Sequence, residues 1–198
     1  MNYSETPNQR RLDRMSQTDG EATGLEIRAK GLLTEKGVEI SDKGSIDALS
    51  SRGYGTMLND TFSLSFYEAL YLLEKEQLEV LGKSKKPAKF ETLLECYKER
   101  DENAWVNYLV YRDLRTRGYV VREGFGAGTD FRIYERGAYG KDTAQYLVLS
   151  IQEGKPLPIQ DLTNALQRCQ SQKKELIIAV MNRRGETVYY SVSPLTFK

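Results

Sequence analysis

Apolar positions along the chain switch between two spacings, every second residue and every third or fourth, and the switches mark the elements. From Gly24 the text LEIRAKGLLTEKGVEIS alternates in short strands broken by Gly31 and Gly37, and a loop follows through Gly53, Tyr54 and Gly55, which predicts a small antiparallel sheet. Ser65 then opens a helix as N-cap, with Glu68 three residues on completing a capping box and Phe66, Leu70 and Leu73 as its buried stripe. Gln77 to Leu81 reads as a return strand, Gly82 to Lys86 (GKSKK) as a solvated basic turn rather than an RNA clamp, and Phe90, Leu93, Leu94 and Tyr97 as the face of another helix ending near Asp101.

The longest organised stretch runs from Trp105 to Val148. Val106, Leu109, Val110 and Leu114 recur at helical spacing, with Arg112, Arg115 and Arg117 expected on the opposite side and Gly118 as a left-handed stop. Tyr119 to Arg122 predicts a strand, Gly124 to Gly128 a turn needing positive φ, and Asp130 to Tyr134 a second strand in which Phe131 and Ile133 alternate against polar neighbours. Thr143 to Ile151 continues the sheet. Pro156 and Pro158 close a loop before a helix whose Ile159, Leu162, Leu166 and Cys169 are expected in the core. Leu176 to Met181 (LIIAVM) reads as a strand covered on both faces, Asn182 to Glu186 (NRRGE) as a hairpin turn, and Thr187 to Ser193 as a closing strand with Val188, Tyr190 and Val192 on one side. These elements make an α/β (α+β) protein of two small domains. Residues 1–23 are a polar tail, 24–101 an N-terminal sheet with helices, and 102–198 a C-terminal mixed sheet flanked by helices.

Composition narrows the class. With 198 residues, 39% hydrophobic and 29% charged, the chain can bury a core, and no apolar run reaches the ~20 residues of a membrane span. The start of the chain has no apolar run of secretory type and the two cysteines are far apart, so an intracellular, cytoplasmic location with reduced thiols is expected. Net charge is +1, but the first 101 residues carry 15 Lys+Arg against 18 Asp+Glu and the rest 14 against 10. That surplus suits a phosphate-facing second half without by itself indicating nucleic-acid binding. The chain has no His, and Cys96 and Cys169 lack metal-ligand spacing, so no metal or other cofactor is implied.

The order YRDLRTRGYVV, GTDFRIYERG, a short polar loop and YLV resembles the C-terminal domain of the archaeal tRNA-splicing endonuclease (tRNA-intron endonuclease) family, and the likeness extends to LSFYEALYLLEKEQLEV upstream and to KKELIIAV and TVYYSVS downstream. Metal-independent RNA cleavage needs a base for the 2'-hydroxyl, an acid for the leaving 5'-oxygen and a cation for the phosphorane, and leaves a 2',3'-cyclic phosphate and a 5'-hydroxyl. The resemblance assigns these roles to a Tyr, a His and a Lys. It places the Tyr at Tyr134, the Lys at Lys174 with Lys173 as the one-residue alternative, and the His at Thr143. An alcohol does not titrate near neutrality, and no shift of alignment supplies a histidine.

The resemblance further implies that Arg168 and Lys173 help hold RNA, against the plain reading of solvated charges. It implies that the closing strand lies at a subunit interface formed by Arg183, Arg184, Val188, Tyr190 and Val192. The family's preceding loop is acidic, whereas here it is basic. Three functions fit: a non-catalytic, RNA-binding subunit of a hetero-oligomer (a heterotetramer) whose partners are a homologous catalytic subunit and precursor tRNA; an active tRNA-intron endonuclease with a displaced acid; or a relative that binds RNA or protein without cutting.

Overall fold

The computed structural model describes residues 28–82, 85–126 and 128–195. The polar tail, Lys83 and Ser84 of the basic turn, and Ala127 of the glycine turn lie outside the described residues.

Strands β1 (Ala29–Thr34) and β2 (Gly37–Ile40) pair antiparallel. Gly31 lies inside β1 and does not break it. Its role is close approach, since a Cβ there would stand 2.3 Å from Val38 Cγ1. Helix α1 (Lys43–Ser51) follows, begun by Asp42, whose carboxylate accepts from the Ser45 N–H at 2.8 Å. Strands β3 (Thr56–Leu58) and β4 (Thr61–Leu64) form a hairpin through Asn59 and Asp60, both at positive φ. Helix α2 (Phe66–Glu74) leads into β5 (Leu78–Leu81), which joins β1 in parallel and completes the order β3-β4-β2-β1-β5. The first sheet is thus mixed. It is antiparallel over four strands and gains its parallel member because α2 carries the chain across to the far edge.

After α3 (Phe90–Lys98), helix α4 (Ala104–Thr116) ends at Gly118, whose φ of +86° provides the left-handed stop. Five more strands follow: β6 (Val120–Glu123), β7 (Phe131–Tyr134), β8 (Tyr146–Gln152), β9 (Glu175–Met181) and β10 (Thr187–Val192), in the order β10-β9-β8-β7-β6. Helix α5 (Ile159–Ser171) is the crossover that makes β8 and β9 parallel.

A single main core spans both sheets. It joins Val38, Leu64 and Leu70 to Tyr111, Phe131, Ile133 and Ile177. The ring of Tyr67 on α2 stands 4.8 Å from Tyr111 on α4 and 5.1 Å, edge-on, from Phe131 on β7. Because α2 is enclosed, every residue from Phe66 to Leu72 is buried, a wider face than the predicted stripe, and Leu73 is half-buried. Helix α4 is likewise central, which corrects the placement of Arg115. It does not face away from the core, but packs its guanidinium 3.8 Å from the Tyr54 ring centroid and donates to Arg52 O.

The opposite face of the second sheet carries a smaller core of Leu147, Ala165, Cys169 and Leu176, roofed by α5. Ile159 is not part of it. At 75% exposure it sits on the first turn of α5, outside the core it was expected to join. Among the described residues, no helix is long and apolar enough to cross a membrane.

Candidate functional site

Topology brings the candidate residues to one end of three adjacent strands. Ile133 pairs with Tyr146, and Tyr146 pairs with Glu175 on its other side. Tyr134, the residues just before Tyr146, and Lys174 therefore share that end of the sheet. Alternation along β7 sets the face: Phe131 and Ile133 enter the main core, so Arg132 and Tyr134 point to the side roofed by α5. Tyr134 is held edge-on to Tyr139 from the following loop, with ring centroids 5.2 Å apart. Tyr139 in turn lies close to Gly53 of the first sheet's loop, where a Cβ would meet its ring at 3.3 Å.

Lys174 is fixed from two directions. Its backbone N–H closes the end of α5 on Cys169 O at 2.8 Å, and its ammonium donates to Ala144 O, beside Thr143. Lys173 has a different setting: exposed, at φ +54°, it occupies the left-handed position that ends the helix. The geometry brings Lys174, the first of the two alternatives, to position 143. Thr143 is exposed. Cys169 offers no replacement acid, since it is wholly buried on the inner face of α5 and burial pushes its thiol up, against the pull of Arg168 and Lys174.

Two residues that the sequence pattern did not single out complete the surroundings. Phe125, in the glycine turn between β6 and β7, has Arg132 4.4 Å and Lys174 5.8 Å from its ring centroid. The turn docks on α5: a Cβ on Gly126 would lie 3.7 Å from Arg168 Nη1, and one on Gly128 3.9 Å from Ala165. Gly126 and Gly128 take the positive φ the turn requires, whereas Gly124 does not and is small because a Cβ would stand 2.2 Å from Thr129 O. The strand pattern contained half of this signal, since Arg132 lies two residues before Tyr134 and so shares its face. The partnership with Phe125 joins three separate elements and leaves no local trace.

The residues expected at an interface are all at the surface or partly so. Val188 and Tyr190 are 48% and 55% exposed, Val192 is half-buried against the smaller core, and Arg183 and Arg184 are exposed on the turn before β10. Asn182 organises that turn by accepting from the N–H groups of Arg184 and Glu186. Among the described residues no cluster of three or more His, Cys, Asp and Glu could hold a metal ion.

Comparison with known proteins matches residues 104–190 to the tRNA intron endonuclease, catalytic C-terminal domain, and residues 29–94 to the tRNA intron endonuclease, N-terminal domain. Similar curated proteins include the tRNA-splicing endonuclease of Methanococcus maripaludis, 38% identical over 163 residues that cover 82% of this chain and 92% of that protein. Those of Pyrococcus horikoshii and Methanothermobacter thermautotrophicus are each 34% identical, covering 75% and 84% of this chain and 85% and 97% of theirs.

Proposed function

The chain belongs to the tRNA intron endonuclease family, and from that premise we propose that it is a non-catalytic subunit of a tRNA-splicing endonuclease, contributing RNA-binding and assembly surface to a homologous catalytic subunit. The observation that carries this reading is Thr143, exposed beside the anchored Lys174 in a chain without His. Tyr134 can serve as base and Lys174 as the cation facing developing phosphorane charge, but protonation of the leaving 5'-oxygen lacks a group of suitable pKa. The half-exposed apolar side of β10 supports an assembly role, and the basic rim of the site supports precursor tRNA as the substrate held there.

The test is cleavage of an intron-containing precursor tRNA by the pure chain in chelator. Without a general acid the rate falls on the order of a hundredfold to ten-thousandfold, so negligible product is expected. Robust metal-independent cutting by this chain alone would overturn the reading. A second reading, an active nuclease with a displaced acid, draws support from Lys174: its ammonium keeps a defined partner, Ala144 O, instead of ranging free in solvent.

A further inference from the structure

Between the helices of the first half and the start of β7 lies a cavity of about 220 Å³ with an excess of acceptors. Asp101, Glu123 and Asp130 line it, no Lys or Arg is among its described lining residues, and none of the three carboxylates forms an ion pair with a described residue. Asp101 accepts from the Asn103 N–H and from Asn107 Nδ2, each at 2.8 Å. Asp130 accepts from the Ser150 N–H, and burial, with the Asp101 charge nearby, lifts its pKa above the ordinary carboxylate value. A cation beside it reverses that shift.

Two buried oxygens without partners join these carboxylates. Asn107 and Thr129 are 6% and 7% exposed, both line the cavity, and neither Asn107 Oδ1 nor Thr129 Oγ1 has a hydrogen-bond partner among the described residues. The bond from Nδ2 to Asp101 fixes which way the Asn107 amide points, so its orphan is an acceptor that calls for a donor. The rest of the wall is aromatic: the Tyr67 ring centroid lies 5.1 Å from that of Phe131 and 6.4 Å from that of Tyr97. Such rings attract organic cations and pack against methylene groups, whereas hard metal ions take oxygen ligands, and the described residues hold no metal-binding cluster of His, Cys, Asp and Glu. The volume is below the ~300 Å³ at which sites for drug-sized ligands begin, which suits a slender chain.

We propose that this cavity binds a linear aliphatic polyamine, its ammonium groups facing Asp130 and Glu123 and donating to Asn107 Oδ1 and Thr129 Oγ1, its methylene chain lying along Tyr67, Tyr97 and Phe131. An ammonium group supplies three donors together with the charge that the carboxylates lack. The site stands at the end of β7 away from Tyr134 and does not depend on whether the chain cuts RNA. It joins α2, α3 and α4 to the turn between β6 and β7, so a bound polyamine stabilises the packing of the two halves by mass action.

The experiment titrates spermidine into the full chain by calorimetry at about 0.15 M ionic strength, beside thermal melts. One saturable site and a raised melting temperature are expected. Asp130→Asn keeps the side chain's size and removes its charge, and Thr129→Val keeps its shape and removes the acceptor. These are expected to weaken binding by about ten- to a hundredfold and about two- to tenfold. Circular dichroism checks folding, and Glu123→Gln, at an exposed position, carries the charge test if Asp130→Asn does not fold. Asp47→Asn, exposed on α1 outside the cavity, should bind as the native chain does.

Absence of saturable binding would overturn the proposal and leave the cavity to water. Equal binding by the native chain and the cavity variants would overturn it too, as would a matching loss in Asp47→Asn, the mark of diffuse attraction to an acidic surface. Displacement of spermidine by magnesium chloride at equal ionic strength would make the site a metal site, and displacement by hexa-lysine would make it a dock for a protein side chain; either result ends the polyamine assignment.

Discussion

At the scale of single residues, the proposed function turns on position 143. If the only missing element is a proton donor, Thr143→His should restore it. Thr143 is exposed and Lys174 already holds the neighbouring carbonyl, so an imidazole can be accommodated without disturbing the sheet. Single-turnover cleavage of precursor tRNA is expected to rise by about a hundredfold to ten-thousandfold over the native chain, with a new dependence on a group titrating near neutrality. No gain in the variant would mean that Tyr134 and Lys174 are structural remnants.

Glu68 is the other residue whose setting has a measurable consequence. Its carboxylate lies 3.0 Å from Arg122 and also accepts from the N–H groups of Ser65 and Gly55, tying α2 and the first sheet to β6. Burial nevertheless lifts its pKa above the ordinary value of 4.5, with Arg122 and those N–H groups pulling the other way. The folded chain then holds this proton more tightly than the unfolded chain does. The resulting stabilisation is fully present below about pH 4.5 and lost as pH rises through the elevated value. Glu68→Gln, which cannot titrate, should remove this part of the decline when thermal melts are compared from acid to neutral pH. Parallel pH profiles for the two proteins would show that the carboxyl titrates alike in both states.

At the scale of elements, α5 separates what periodicity can tell from what it cannot. Ile159, Leu162, Leu166 and Cys169 share one helical face, yet Cys169 is fully buried and Ile159 is 75% exposed. Sequence spacing gives direction around the helix axis, while burial also depends on whether the sheet extends beneath that turn. Ile159→Ser is therefore expected to change stability by less than about 0.5 kcal/mol. Leu176→Ala, in the strand beneath α5, should cost about 2 to 5 kcal/mol. Urea denaturation of both variants checks this, and equal losses would put Ile159 back in the core.

The same distinction explains what was legible. The strands of the second sheet and the stop at Gly118 follow from local spacing and backbone freedom, and they appear close to where the sequence puts them, except that β8 begins at Tyr146 rather than Thr143 and Gly124 keeps a negative-side φ. Helix α1 was missed because its nine residues fully bury only Leu49, with Ile46 half-buried one turn before it, although Asp42 followed by Ser45 was a usable start signal. Asn59 and Asp60 likewise signalled a hairpin. Tyr134 and Lys174 could be singled out only through ordered family motifs. Tyr139 and Phe125 gain their neighbours from tertiary packing, as Arg115 does from Tyr54, and nothing in the local text anticipates it.

At the scale of the whole molecule, the question is what covers β10. It is an edge strand, paired only to β9, and the side chains of Val188 and Tyr190 stand on the same side of the sheet as the α5 roof without being covered by it. Their cross-strand partners Val180 and Ile178 are half-buried, so the apolar surface continues onto β9. The opposite side is committed inward: Tyr189 donates to Asp113 on α4 at 2.7 Å and lies beneath the Arg117 guanidinium. One face of the strand thus holds the fold together while the other is free for a second chain. An exposed apolar edge of this kind invites pairing, and a large aromatic at its centre is where truncation costs most. Tyr190→Asp should therefore dissociate the proposed assembly with a homologous subunit and leave the monomer's secondary structure intact. Size-exclusion chromatography with light scattering, read beside circular dichroism, checks both halves. An unchanged oligomer would remove β10 from the interface, and a collapsed spectrum would mean that Tyr190 supports the fold.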